Sequence, residues 1–421
     1  MQRSITVQSS HGTIRGLIVE TIGFWQCNDT VYTCYTIVGK KKEHGTGMNG
    51  VAVDLREIVA LDEIVASLPD EDRALFDRLF HLSTTIGELN PPQTMHRWIE
   101  KYFGSVDAVR RQKVVKVTNR WTLESSLFNE LRAHRPLEAR IPSALAEEIA
   151  RSHPDPFDDP EANTPEDVFG RIHTRHAITA SNIAKYDGFH GVVIFDEHDP
   201  LAFTEETVIG ALDAAMEWFQ KAYATDQDAI YPFFMWNCLW KSGASIPHGH
   251  AQMSLTKGMH YGKVELLRRA ALQYNTVFDR DYFADYYRMH EVLGLGMAHG
   301  DVRMMAHLVP LKEKEVILFG KQLDDDLKRS LYCALACLTG DLGVTSFNLT
   351  IALPPLAETG ENWADFPVVV RMVDRGDPMN RTADFGAMEL YASSVVSSDP
   401  FRVAAQLWEC AQIGERTGRY D

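Results

Sequence analysis

One order of elements runs along this chain twice: strand, helix, asparagine-bearing strand, strand. In the first pass, the largely apolar run over 188–195 reads as a buried strand. A helix over about 204–224 follows, opened by Thr204-Glu205-Glu206, then a strand over 231–239. A glycine turn leads into a final strand that carries His248 and His250. In the second pass, strand 316–319, helix 324–338, strand 347–353 and strand 367–372 repeat the order. Each unit has one apolar sheet face to bury, so repetition constrains the fold more than any single motif does. The order implies an internal duplication whose second copy has lost its histidine pair. The competing reading is that such a unit is simply common.

The rest of the chain is less regular. Residues 4–60 alternate like strands, as in Thr13-Ile14-Arg15-Gly16-Leu17-Ile18-Val19 and over 31–38. From about 61 to 103 the pattern turns helical, with one helix opened by Asp70-Glu71-Asp72 after Pro69. Residues 114–117 read as a strand and 121–131 as a helix or long turn. Residues 136–165, rich in Pro, Asp and Glu, read as a long loop of the kind that often carries function. The expected domains are an appended α+β region over 1–115 with no assigned chemistry, a first half over 116–260 and a second half over 261–421.

Charge narrows the partners. A net charge of −16 disfavours non-specific nucleic-acid binding and anionic membranes. It leaves room for a phosphate-bearing small molecule, since one local Arg/Lys cluster suffices. No apolar run reaches eighteen residues, and the N-terminal stretch lacks the apolar core of a signal peptide. The six cysteines form no Cys-x-x-Cys, which fits a reducing cytoplasm.

Chemistry concentrates in Pro247-His248-Gly249-His250-Ala251-Gln252. In an extended segment alternate side chains share a face, so two imidazoles and a carboxamide line up. That set offers a nucleophile, a group to orient it and a donor for an oxyanion. The pattern alone equally allows a metal-binding pair or a half-buried strand. His173-Thr174-Arg175-His176 has metal-like spacing without a third ligand nearby, and it reads as structural, as do His190 and His198.

The stretch from Asn237 through the Lys241-Ser242-Gly243-Ala244-Ser245-Ile246 lead-in to Gln252 resembles the active-site segment of galactose-1-phosphate uridylyltransferases. These belong to the histidine-triad superfamily, and its diadenosine tetraphosphate phosphorylases carry a similar segment. Arg132-Ala133-His134-Arg135-Pro136 is similar to the family's Arg-x-x-Arg-Pro segment. Residues 182–198, 347–351 and 384–390 resemble further landmarks, so the likeness spans roughly 116–421. Three features depart from the pattern. His153-Pro154-Asp155-Pro156-Phe157 stands where the family has a zinc-binding Cys-x-x-Cys, and is more like the Pro-Phe loop of the phosphorylases. The second half has Phe366-Pro367-Val368-Val369-Val370-Arg371 in place of a His-x-His segment. Residues 1–115 have no counterpart.

The resemblance implies an α+β, histidine-triad-like fold of two tandem half-domains, each an antiparallel sheet plus helix. It implies ping-pong nucleotidyl transfer through a covalent nucleotidyl-His250. His248 would fix the strand, and a backbone carbonyl near it would hold the second ring nitrogen of His250. Gln252 would donate its amide to a non-bridging oxygen. A Gln cannot protonate a leaving group, which favours transfer or phosphorolysis over hydrolysis. Asn237, Ser245 and Gly243 would bind the phosphates, and Arg132 and Arg135 would neutralise them. Expected partners are nucleotides, phosphorylated small molecules and a second copy in a homodimer. No cofactor or metal is expected, because the Cys ligands are absent. The runner-up is a dinucleoside polyphosphate phosphorylase using inorganic phosphate. A rival of another class is a nucleotide-binding module without turnover.

Overall fold

In a computed structural model, two runs of strands meet edge to edge at Asn237 and Asn348, which pair across an antiparallel ladder. The structure describes residues 3–9, 12–27 and 30–37, by their backbone, and residues 56–129, 131–132 and 142–417. Side chains are described over 56–129, 131–132 and 145–411. The chain divides into two compact units, 1–54 and 55–421. In the first, strands β1 (Arg3–Ser9), β2 (Gly12–Cys27) and β3 (Thr30–Ile37) form an antiparallel meander.

Among its described residues the second unit holds two sheets. The smaller contains β4 (Phe80–Glu88), β5 (Arg111–Asn119), β6 (Ser125–Phe128) and, near the C-terminus, β16 (Ser394–Val396). The larger has nine strands: β7 (Ala177–Ser181), β8 (Phe189–Phe195), β9 (Ala229–Asn237), β10 (His250–Lys257), β11 (Gly296–His299), β12 (Val302–Ala306), β13 (Glu313–Gly320), β14 (Phe347–Ala352) and β15 (Val368–Asp374). Their order is β11-β12-β13-β15-β14-β9-β10-β8-β7, every neighbour antiparallel. From the β9–β14 seam outward the two sides mirror each other: β9-β10-β8-β7 against β14-β15-β13-β12. The strand–helix–strand–strand order therefore does arise from two copies of one unit.

Each unit sends one helix across the same face of the sheet. The first is Glu205–Thr225, with Thr204 capping its N-terminus through Thr207 N–H at 3.2 Å. The second is Asp325–Gly340, capped by Asp324 through Leu327 N–H at 3.0 Å. The two helices touch, and beneath them Val193, Phe195, Phe234, Trp236, Ala251, Met253, Leu349 and Val370 are buried. Alternation puts the neighbouring residues of β8 and β10 on the opposite face. There, in the second half, Arg371 binds Glu315 and Glu124, and Phe319 packs edge-on against Phe283 of helix Tyr282–Leu293.

Several expectations need correction. The helical reading of 61–103 misses β4. Helix Asp70–Leu79 stops where Phe80 turns extended, and the β-branched run through Thr84, Thr85 and Ile86 pairs with β5 along its whole length. The supposed helix or turn over 121–131 contains strand β6, because the Asn119 side chain accepts from Trp121 and Thr122 N–H and bends the chain early. The loop over 136–165 contains helix Pro142–Arg151, hidden from composition by its flanking Pro and acidic residues. Residue 115, the expected end of the appended region, lies in β5, and the compact units divide after Asp54.

Candidate active site

His250 opens β10, facing Ile194 of β8, on the sheet face away from the two long helices. His248 lies just before the strand, in the turn, and not on a shared extended segment as the spacing suggests. Gly249 makes the approach possible: its carbonyl accepts from Phe195 N–H at 2.9 Å and its N–H reaches the His198 carbonyl at 3.2 Å. The lead-in needs a tight turn, which Gly243 supplies with φ +104°.

The ring of His250 is buried, and its Nδ1 lies 2.7 Å from the His248 carbonyl oxygen. A carbonyl only accepts, so Nδ1 carries the proton and Nε2 keeps its lone pair. Burial lowers the pKa of this ring against the opposing effect of the carbonyl, which keeps it neutral. Phe157, from the acidic loop, lies edge-on to both histidines, 5.2 Å from His250 and 5.9 Å from His248. Gln252, two residues on, sets its Oε1 2.8 Å from Nε2 of His190.

At the seam, Asn348 Nδ2 donates to Asn237 Oδ1 at 2.6 Å and to the Ser242 carbonyl at 2.9 Å. Arg375 in turn donates to Asn348 Oδ1 and is held by both carboxylate oxygens of Asp384. Trp240 and Lys241 bond the carbonyls of Pro378 and Asn380. The second half thus grips the lead-in to the histidines. Gly243 and Ser245 are exposed in that lead-in. Arg132 sits where its charge acts on Glu389. Arg135 lies outside the described residues.

Sequence reasoning missed a second cluster. Asp155, Asp158, His198 and His248 each offer a ligand atom, all within 4.8 Å of one another. His248 Nε2 donates to the Phe195 carbonyl at 2.9 Å, and His198 Nε2 points at the Ile149 carbonyl at 3.2 Å. In the neutral rings both Nδ1 atoms are therefore bare, yet they lie 3.2 Å apart. Each faces both carboxylates at 3.5 to 3.7 Å, too long for a direct hydrogen bond. Asp155 Oδ2 is buried without a hydrogen-bond partner. Burial disfavours the Asp158 carboxylate, but Asp155 N–H and His153, His248 and His198 outweigh it and hold its pKa down.

Four converging acceptor atoms fit a cation, although His153 Nδ1 also lies 3.0 Å from Asp158 Oδ1. Ligands about 2.0–2.2 Å from a tetrahedral metal lie about 3.3–3.6 Å from each other, close to the spacings found here. Asp155-x-x-Asp158 also repeats the gap of the Cys-x-x-Cys expected in this region, and that was the available signal. His198, read from the sequence as structural, stands among residues that could hold a metal, with carboxylates where sulfur ligands were sought.

No protein-family model matches the sequence, and no curated protein matches it significantly. Among solved structures, an ADP-glucose phosphorylase from Arabidopsis thaliana, with bound ADP-glucose, matches with TM-score 0.53 at 16% identity, over 69% of this chain and 97% of that one. The chain has the duplicated histidine-triad fold. A GalT-like protein from Arabidopsis thaliana gives TM-score 0.49 at 18% identity over 61% and 92% of the two chains. A yeast Ap4A phosphorylase in complex with Ap4A gives 0.32 at 14% over 77% and 98%. In this histidine-triad fold no helix among the described residues is long and apolar enough to cross a membrane.

Proposed function

We infer that this chain is a nucleotidyltransferase that moves a nucleoside monophosphate between phosphate-bearing small molecules by double displacement. The observation that carries the reading is the 2.7 Å bond from His250 Nδ1–H to the His248 carbonyl. It leaves a neutral, buried Nε2 with a free lone pair, which is what an imidazole nucleophile needs.

In the first half reaction His250 Nε2 attacks the α-phosphorus of the donor. The N–P bond forms as the bond to the leaving phosphate or sugar phosphate breaks, and that group departs with the bridging oxygen. Gln252 donates amide protons to a non-bridging oxygen as charge builds on it. An incoming phosphate oxygen then attacks the same phosphorus and His250 leaves, neutral again at Nε2. Neither step needs an acid, because both leaving groups are good. The likeness to a phosphorylase solved with ADP-glucose supports a nucleotide sugar as donor, and equally supports inorganic phosphate as the alternative acceptor to a sugar phosphate.

A divalent cation held by Asp155, Asp158, His198 and His248 belongs to the same reading. Bound there, such a cation would supply structural chemistry, neutralising the two carboxylates, while His248 as its ligand would be held in the place from which its carbonyl orients His250. A homodimer is part of the reading as well, and sedimentation velocity tests it.

The test is covalent labelling. Incubation with nucleotide sugars and dinucleoside polyphosphates carrying a radioactive α-phosphate should give acid-labile, base-stable label on wild type and none on His250→Gly. Discharge by a sugar phosphate identifies the transferase, and discharge by inorganic phosphate the phosphorylase. Absence of label with every nucleotide would leave a binding module as the better reading.

A further inference from the structure

A glutamine amide has two ends of nearly equal shape and opposite polarity. Only its NH2 end can serve a phosphate oxygen, so something must choose which end faces the substrate. We propose that His190 makes that choice, as a positioning residue acting through Gln252; the proposal rests on the nucleotidyl-transfer reading above.

Both residues lie on one face of the sheet. In the antiparallel register of β8 and β10, Gln252 stands opposite Val192 and Ser254 opposite His190. His190 and Gln252 are thus diagonal neighbours on one face. His190 is fully buried, and the backbone N–H of Tyr186 reaches its Nδ1 at 3.0 Å. A main-chain N–H only donates, so Nδ1 accepts and the proton of the neutral ring sits on Nε2. Burial lowers the pKa of this ring, with the Gln252 bond opposing, which keeps the neutral form. Nε2–H therefore donates to Gln252 across 2.8 Å, and only the oxygen end can receive it. The NH2 end is turned the other way. A flipped amide would set N–H against N–H at His190 and present oxygen lone pairs to an anionic phosphate.

The proton that starts this chain is held firmly. Segment 182–187 wraps the His190 ring: Asn182 N–H donates to the His190 carbonyl at 2.9 Å, and Lys185 Nζ reaches the same carbonyl at 3.1 Å. Asn182 Oδ1 accepts from Ala184 N–H at 3.0 Å, which shapes the turn. The ring of Tyr186 stacks on His190 at 4.2 Å between centroids. Asn182 Nδ2 lies 3.4 Å from Nε2 but is a donor like it, so it does not compete for the proton. A backbone amide in this turn thereby sets the polarity of a side chain on another strand. The sequence shows none of this, since His190 and Gln252 are 62 positions apart.

The test compares His190→Leu, which lacks the donor, with His190→Gln, which keeps an N–H near the place of Nε2. Losing an oxyanion donor outright costs about 10²–10³ in rate, so losing only its orientation should cost about 10-fold. At saturating donor, labelling of His250 should slow by that factor in His190→Leu and recover most of the way in His190→Gln. In a Gln252→Ala background His190→Leu should add no further loss. Additive losses, or a Gln variant as slow as the Leu variant at equal melting temperature, overturn the proposal.

A second arm needs no turnover. Long-range 15N–1H spectra of wild type should show His190 protonated at Nε2, and inorganic phosphate should shift the Gln252 side-chain amide protons far more in wild type than in His190→Leu. An Nδ1-protonated His190, or equal shifts, overturns the proposal even if labelling succeeds. Failure of every nucleotide to label wild type sinks the functional reading alone and leaves this arm to decide.

Discussion

Gly249→Ala puts the smallest possible side chain between the two site histidines. Its Cβ would lie 2.8 Å from Phe195 Cδ2 and 3.0 Å from the Glu197 carbonyl oxygen. Carbon atoms pack at about 3.5–4.0 Å, so the ring contact is short by roughly 0.7 Å or more. Phe195 cannot simply turn aside, because it is wedged edge-on against Trp236 at 4.9 Å. The backbone oxygen has no rotamer to change. The start of β10 must therefore move off β8, stretching the bond from Phe195 N–H to the Gly249 carbonyl. Overpacking of this kind costs about 1–3 kcal/mol. One kcal/mol moves the melting point by about 2–4 °C in domains of 150–250 residues and by less in larger ones, so the fall should stay under about 10 °C. The rate should suffer more. A misplacement near 1 Å can cost about 10²-fold, and both the His248 carbonyl and the His250 ring ride on the displaced segment. Scanning fluorimetry and His250 labelling measure the two effects. An alanine variant that melts and labels like wild type would show that β10 is not pressed on β8 as described.

Other expectations follow from the same contacts. Protein purified without a histidine tag should contain about one divalent metal per chain; Asp155→Asn and Asp158→Asn should lower that content and the melting point, and metal-free wild type indifferent to chelators would refute the four-ligand site. His260 and His290 are buried, and burial pushes their pKa from 6.5 down to about 4 and about 3. The unfolded chain takes up these protons first, so the associated stability is present above pH 6.5 and lost as pH falls toward 4 and 3. At about 1.4 kcal/mol per unit, His260→Asn should recover about 3 kcal/mol of the acid loss near pH 4; urea titrations at pH 7 and 4 with unchanged differences would refute it. Arg371→Met removes the cation held at 2.7 Å by both Glu315 and Glu124, leaving buried Glu315 only His307 and the Leu311 N–H. The expected cost is about 3–5 kcal/mol, read by denaturation, and a neutral result would mean the network is not buried as described.

What the sequence discloses depends on how local the cause is. Apolar runs and capping residues are local, so β8, β13, β14 and the two helices behind Thr204 and Asp324 could be read directly. The backbone partner of His250, which the resemblance implies, lies two residues away. The Asp155–Asp158–His198–His248 cluster as a whole could not be read, since only the Asp-x-x-Asp gap is local and its residues come from three segments: the 155–158 loop, the stretch after β8, and the turn before β10. Strand β4 was hidden for a different reason. It follows a strong helical pattern without a Gly or Pro to mark the change, and most of it is exposed. The Asn237–Asn348 seam depends on pairing across 111 positions, which no local spacing encodes.

That seam also decides whether either repeat could live alone. Strand β9 lies inside the sheet only because β14 covers one of its edges. Cut between the repeats, the first half would expose the Ala-Ile-Tyr-Pro-Phe-Phe-Met-Trp-Asn edge to solvent, a row of unsatisfied backbone groups beside large apolar side chains. The second half would expose Phe347–Ala352 in the same way. Such edges recruit other copies, so each fragment should aggregate or pair with its counterpart when co-expressed. Duplication has left neither copy independent: the half without the His-x-His pair still insulates the half that carries it.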